Sequence, residues 1–365
     1  MADTLYFSRD TEVFVKIGSD IWEIPVLDGF SFSQATNTSE ITLNEMADTS
    51  GNSRRGRRMF NDSYAPAEWS FSTYMRPFKS TGAGVGAADN TADSHHGVEE
   101  VLWALMVGDA SYSAFDFTGF TRDTTDLDIT FANSNKTTLG TADFFFVMGG
   151  ATSGTKTTYK IEGCVVNEAA IDFDIDGIAT INWSGFGKII TEDTAPTATI
   201  TEAVTSTSNF IRNRLTALAL TTSAGGNHPA TYNVVLTGGN VTIANNITFL
   251  TPETLGVVNQ PIGHVTGTRS VSGNFTCYLN AEDDSSAELF ENLIEDTTSI
   301  TNDFELVFKI GGASGTPRVE LDMQACHLEI PTHSIDDIIS LETNFHALPS
   351  TIEGHNELAI KYVGA

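Results

Sequence analysis

Asp172, Asp174 and Asp176 alternate in the stretch Asp-Phe-Asp-Ile-Asp-Gly, and oxygen donors at that spacing, with a glycine at the sixth position, are how a calcium loop begins. Such a loop also needs a bidentate glutamate at its twelfth position, which here is Trp183. The alternation suits a strand better: Ile171, Phe173 and Ile175 share one face and the three carboxylates share the other, a solvated strand face in the favoured reading and an acidic wall in the alternative. His95 and His96 are metal-ligand types, but they are adjacent, stand in a Gly/Asp/Ser-rich stretch and have no further clustered ligand, which predicts a solvated loop. Arg54, Arg55, Arg57 and Arg58 fall within six residues, four of only 19 basic residues in the chain. Arginine suits interface ion pairs, and in so acidic a protein a contact with a neighbouring copy is the favoured reading over phosphate binding.

Other chemical signatures fail on inspection. The runs from Gly149 and Gly311 lack the Lys-Ser/Thr tail of a phosphate loop and precede strand-like sequence, so both read as hairpin turns. No nucleophile elbow is present. Cys164, Cys277 and Cys326 have no metal spacing and are odd in number, so they read as buried thiols in a reducing compartment. No catalytic, metal or cofactor-binding set emerges, and none is expected. With 47 acids against 19 bases the net charge is −28, which disfavours binding nucleic acid by neutralising phosphates. No apolar run approaches the ~20 residues of a membrane-spanning helix. Residues Met1 to Asp10 have no basic stretch followed by an apolar one, as a secretory signal would.

The elements around these residues alternate apolar and polar positions, as in Trp69-Ser70-Phe71-Ser72, so the chain is mainly β. It also repeats itself. Gly149, Gly150 and Cys164 recur as Gly311, Gly312 and Cys326, each 162 positions on. Phe71 to Tyr74 matches Phe275 to Tyr278, and Glu100-Val101-Leu102 matches Glu288-Leu289-Phe290. A repeat this long predicts two similar domains, residues 1–190 and 209–365, joined by a polar linker at 191–208. Each has one helix between strands. In the first, Val98, Val101, Leu102, Leu105 and Met106 make the apolar stripe; in the second, Asp284 or Ser285 is placed to cap. Insertions at about 79–97 and 109–143 belong to the first half alone, and the latter has strand alternation of its own. Long connections, from about Asn44 to Pro66 and Thr251 to Thr268, are uncommon in compact domains unless they serve a purpose.

Several segments resemble one family: SEITLNE from Ser39, FNDS from Phe60, AEWSFSTY from Ala67, LWAL from Leu102, NNITFLTPE from Asn245 and IGHVTG from Ile262. They are similar to the tail tube, or major tail, proteins of T-five-like long-tailed siphophages, over nearly the whole chain. The resemblance implies a non-enzymatic structural subunit of the virion, assembled in the host cytoplasm. It implies two tandem tail-tube domains, each a β-sandwich with a flanking helix. Three chains then close a pseudo-sixfold ring around a shared inner barrel, and rings stack into a hollow conduit for DNA. Partners would be further copies of itself, tape-measure protein, tail terminator and baseplate proteins, with DNA passing unbound and no membrane insertion. Arg54, Arg55, Arg57, Arg58 and Phe60 fall where the family places contacts between rings, and Asp172 and Asp174 are candidates for the lumen wall. Where the family continues into an immunoglobulin-like decoration domain, this sequence ends at Ala365 soon after the second unit, so external decoration is not expected. Competing readings are a carbohydrate-binding or adhesin module, a single-ring terminator or baseplate part of the same fold and, with least support, a glycan hydrolase.

Overall fold

The structure, a computed structural model, describes residues 6–41, 49–51, 58–79, 94–108, 111–113, 116–131, 137–150, 156–200, 209–222, 228–295, 304–314 and 317–364. The first half runs β1 (Tyr6–Ile17), β2 (Asp20–Ile24), β3 (Ser31–Glu40), β4 (Met59–Tyr74), β5 (Pro77–Lys79), β6 (His95–Gly97) and helix α1 (Glu100–Val107). It continues through β7 (Tyr112–Ser113), β8 (Asp116–Phe117), β9 (Phe120–Arg122), β10 (Asp126–Thr130), β11 (Ala142–Gly150), β12 (Lys156–Asp174), β13 (Thr180–Gly187) and β14 (Ile190–Asp193). After a single 3-10 turn at Asn213–Leu215 come β15 (Ala217–Thr222), β16 (Thr231–Tyr232), β17 (Leu236–Ala244), β18 (Thr248–Leu250), β19 (Gly263–Val265), β20 (Ser270–Tyr278) and helix α2 (Ser286–Glu295). The last strands are β21 (Phe304–Ile310), β22 (Arg318–Leu328), β23 (Thr332–Ile335), β24 (Ile339–Ala347) and β25 (Ala359–Val363). The molecule is mainly β.

Period-two patterning decides which face each strand buries. On β4, Ala67, Trp69, Phe71 and Thr73 are buried while Glu68, between the first two, is exposed, and on β12 Ile171 and Phe173 are buried while Asp172 and Asp174 are exposed. Eight strands lie side by side, all antiparallel, in the order β3, β4, β13, β12, β17, β20, β24, β23. Strand β12 belongs to two ladders. Its first part pairs with β11 and β14, its later part with β13 and β17, and the register shifts between Val166 and Glu168, where a bulge turns the strand from one layer into the other. A second layer is formed in the first half by β2, β1, β11, β12 and β14, and in the second by β16, β15, β21, β22 and β25. Aromatic rings fill the space between layers, as with Trp69 against Phe144 at 4.6 Å and Phe308 against Phe345 at 5.7 Å. Fully burying such a ring contributes roughly 1.5–3 kcal/mol.

The pairing of β11 with β12 recurs in that of β21 with β22. Ala142 faces Cys164 and, past a register shift, Phe144 faces Ile161; Phe304 faces Cys326 and, past a shift at the same place, Leu306 faces Met323. Cys164 and Cys326 thus hold the same position beside a bulge, donating to the carbonyls of Ile161 and Met323. All three cysteines are buried free thiols. Burial pushes Cys277 up to about 11 and Cys326 up to about 12, which makes them inert packing groups.

Two strand ladders join the halves among the described residues. At the first, β12 pairs with β17, with Asp172 opposite Asn240 and Phe173 opposite Gly239. At the second, the β9–β10 hairpin, which lies within 109–143, adds β10 to β25 of the other half. That contact changes the reading of α1. The expected one-sided stripe is buried on every face, because the Tyr362 hydroxyl of β25 sits against the helix and accepts a 2.6 Å hydrogen bond from the Trp103 indole. Helix α2, with only Ser286, Leu289 and Asn292 buried, is amphipathic. At its start Ser285 donates to the Asn280 carbonyl, and the Asp284 N–H donates to Glu288. Residues within the segment read as linker are built onto the first half: β14 pairs with β12, and Ile200 bridges Trp22. Residues 201–208 and 80–93 lie outside the described residues.

Gly239 is small for a reason. A Cβ there would stand 2.5 Å from the Asn274 carbonyl oxygen and 2.9 Å from the Phe173 ring. Gly239→Ala is therefore expected to lower unfolding free energy by about 1–3 kcal/mol through overpacking. Chemical denaturation measures this, and an unchanged midpoint would remove Gly239 as the seat of Phe173.

Candidate assembly surfaces

The exposed face of the eight-stranded run is polar and acidic. Asp172 and Asp174 both stand on it, as do Glu68 and Glu342. Amides link neighbouring strands across the face: Asn240 donates to Asn274 at 3.2 Å, Asn274 to Glu342 at 3.0 Å, and Asn182 to Asp172 at 3.4 Å. Asp174 accepts from the Ile175 N–H at 2.6 Å, which holds the following turn. In these eight strands the basic residues are Lys156 and Lys160, in the part of β12 that pairs with β11 and β14. The carboxylates on this face have amide and hydroxyl neighbours, and the His346 ring on β24 lies 3.4 Å from Glu329.

The ends of the run differ. At one end the β3–β4 hairpin extends as an arm, with Glu40 opposite Met59 and the Ile41 N–H donating to the Arg58 carbonyl at 3.0 Å. Arg58 and Phe60 are exposed on it, Phe60 by 58%. Arg54, Arg55 and Arg57 lie outside the described residues. Beside the arm lies the β18–β19 hairpin with its long loop, and Asn259 ties the two together. Its carbonyl accepts from the Tyr64 N–H at 2.9 Å and its N–H donates to the Asp62 carbonyl at 3.2 Å, while its side chain clasps both backbone groups of Thr254. Leu255, next in that loop, is fully exposed. Sequence patterning had no means of marking Asn259, because its partners come from another half of the chain. At the opposite end, the turn after β12 exposes Ile175 and Ile178, and the end of β23 and its turn expose Ile335 and Ile338. Both flanks of the run are open as well: among the described residues, β3 pairs only with β4 and β23 only with β24.

His95 and His96 are not a solvated loop. Both are buried on β6, which pairs with β5, and Phe78 stacks on the His96 ring at 5.2 Å. His96 Nδ1 lies 3.1 Å from Glu100, which also meets Arg122 at 3.4 Å; Arg122 in turn reaches Asp116 at 2.8 Å. Burial pushes the Glu100 carboxyl up, but the Arg122 and His96 charges outweigh it and hold it below the usual range. The misreading came from local composition, which cannot register a distant arginine. No group of three metal-ligating side chains occurs among the described residues, and no described helix is long and apolar enough to cross a membrane.

Residues 35–347, which include the β12–β17 ladder and most of the two hairpin arms, β3–β4 and β18–β19, match the family model described as phage tail tube protein. The chain belongs to that phage tail tube family. It is also 30% identical, over 369 residues, to the tail tube protein pb6 of Escherichia phage T5; the match covers 97% of this chain and 75% of that protein. A phage tail tube protein is a structural component of the virion, and the polar face, the arms and the open strand edges are where such a subunit has surface to offer.

Within this tail tube protein, Glu99 carries a pH signature. Burial pushes its carboxyl up to about 8, against the opposing effect of hydrogen bonds from the Tyr362 hydroxyl and the Arg76 N–H. The folded state therefore keeps a proton that the unfolded chain releases near the ordinary value of 4.5. That contribution to stability is complete below the unfolded value and is lost as pH rises toward 8. Melting temperature should fall more steeply between about pH 5 and about pH 8 in the wild type than in Glu99→Gln, which stays neutral throughout. Parallel profiles would show that Glu99 is ionised in the native state.

Proposed function

We propose that the chain is the structural subunit of a bacteriophage tail tube, in which three copies close a pseudo-sixfold ring and rings stack into the conduit for viral DNA. Two tandem tail-tube domains, 1–190 and 209–365, supply the six walls. The observation that carries this reading is the run of eight antiparallel strands that crosses the chain's midpoint at β12–β17 and ends in two unpaired edges, in a member of the tail tube family. Closing such runs on one another removes every edge, the state in which backbone groups are best satisfied. The inner sheets then form a shared barrel around the lumen.

The polar face becomes the lumen wall, with Asp172 and Asp174 among its acids. A ring of three chains carries three times the −28 of each, and carboxylates without intervening lysine or arginine repel a phosphate backbone, so DNA slides without adhering. The arms become the contacts between rings, led by Arg54, Arg55, Arg57, Arg58 and Phe60. Tape-measure protein inside the tube, and terminator and baseplate proteins at its ends, are the further partners of this reading, with assembly in the host cytoplasm.

Purified protein imaged by negative-stain electron microscopy should lengthen into tubes of stacked rings. A preparation that remains monomeric at high concentration would reject the proposal, and one that stops at isolated rings would favour a terminator or baseplate part. Replacing Arg54, Arg55, Arg57 and Arg58 together by Ser should shorten or abolish tubes while leaving melting temperature nearly unchanged. Asn259→Ala should do the same by removing the side-chain clasp on Thr254 that shapes the β18–β19 loop beside the arm. Tubes of normal length in both variants would take the arms out of the stacking contact.

A further inference from the structure

We infer that the β12–β17 junction is repeated between chains, with β23 of one copy adding antiparallel to β3 of a second copy so that Thr332 faces Ser33, His333 faces Phe32 and Ser334 faces Ser31. This rests on the self-assembly reading above and adds a register to it.

The register follows from pairings inside the chain. On the β12 side, Ala170 faces Asn182 and Asp172 faces Thr180; on the β23 side, Thr332 faces Glu342 and Ser334 faces Ser340. Thr332 and Ser334 therefore occupy the places of Ala170 and Asp172. Tyr74 faces Thr180 and Tyr278 faces Ser340, so Tyr74 and Tyr278 correspond, and with them Ser70 and Asn274. Ser31 faces Ser70 and Asn240 faces Asn274, which gives Ser31 the place of Asn240 and Ser33 that of Thr242. Within the chain Asp172 faces Asn240, Ile171 faces Val241 and Ala170 faces Thr242. Carrying these three pairs to the open edges yields the pairs stated.

Three independent features agree with it. Phe173 is 3% exposed because β17 covers it, whereas Ile335, at the matching place on β23, is 78% exposed and awaits a cover. The faces also match. Ser31 lies on the polar face, bonded to Ser70 at 2.8 Å, while Phe32 points inward onto Phe146 at 4.7 Å and His333 points inward onto Phe290 at 4.4 Å. A slip of one residue would set each inward ring against an outward hydroxyl. Finally, Ser31 to Gln34 and Thr332 to Ile335 contain none of the charged residues or prolines that normally guard a sheet edge against a second chain.

Cysteine pairs test the register in the full-length protein, whose native thiols are buried. Directly opposite Cβ atoms in an antiparallel pair stand roughly 4.5–5.5 Å apart, close to the span of a disulfide. Ser31→Cys with Ser334→Cys, and separately Ser33→Cys with Thr332→Cys, should give disulfide-linked dimers and trimers on a non-reducing gel, from samples in which microscopy finds tubes. The slipped pair Ser31→Cys with His333→Cys should stay monomeric on the same gel. Tubes without linkage in either matched pair, or linkage of the slipped pair instead, would overturn the register and leave the tube reading standing. A wild-type chain that makes no tubes would overturn both.

Discussion

Every strand at the margin of a sheet leaves a row of N–H and carbonyl groups that must find partners or face water, and this molecule is organised around that demand. Strand β12 meets it by serving two layers. Its bulge between Val166 and Glu168 lets one continuous strand satisfy β11 and β14 with its first part and β13 and β17 with its second. The core follows from that turn, because the two layers it connects enclose Trp69, Phe71 and Phe144. The second half reaches a similar end by another route, with β22 and β23 dividing the work between them. Satisfying the interior in this way leaves β3 and β23 open at the flanks.

The polar face obeys a related rule. Asparagine and serine side chains on adjacent strands hydrogen-bond to one another and to carboxylates, so their polar groups are engaged along the sheet. A surface whose donors are already committed has few left for a passing anion, and its acids add repulsion. That combination suits the lumen wall proposed above, and it needs no single special residue.

What was legible in the sequence depended on whether the cause was local. The alternation around Asp172 and Asp174 is a short-range pattern, and the structure has it as a strand with its carboxylates outward. The family motifs are likewise contiguous words in the chain. His95 and His96 looked solvated because their neighbours in sequence are Gly, Asp and Ser, while the groups that bury and bind them, Phe78, Glu100 and Arg122, include members remote in sequence. Helix α1 showed a stripe, yet Tyr362 closes over it from 259 residues beyond Trp103. Asn259 is the same case in a loop: an unremarkable polar residue that gains its role by lying against Asp62 and Tyr64.

The β10–β25 ladder bears on how the polypeptide comes off the ribosome. Asp126 pairs with Val363, so the hairpin carrying β10 waits for more than two hundred further residues before its edge is covered. Pairing at such sequence separation is slow to form and exposes strand edges to competing chains meanwhile. The helix beneath it, with Glu99 and Trp103, is sealed only when Tyr362 arrives. The edge of β10 and the helix of the first half are therefore covered only after β25 has been synthesised.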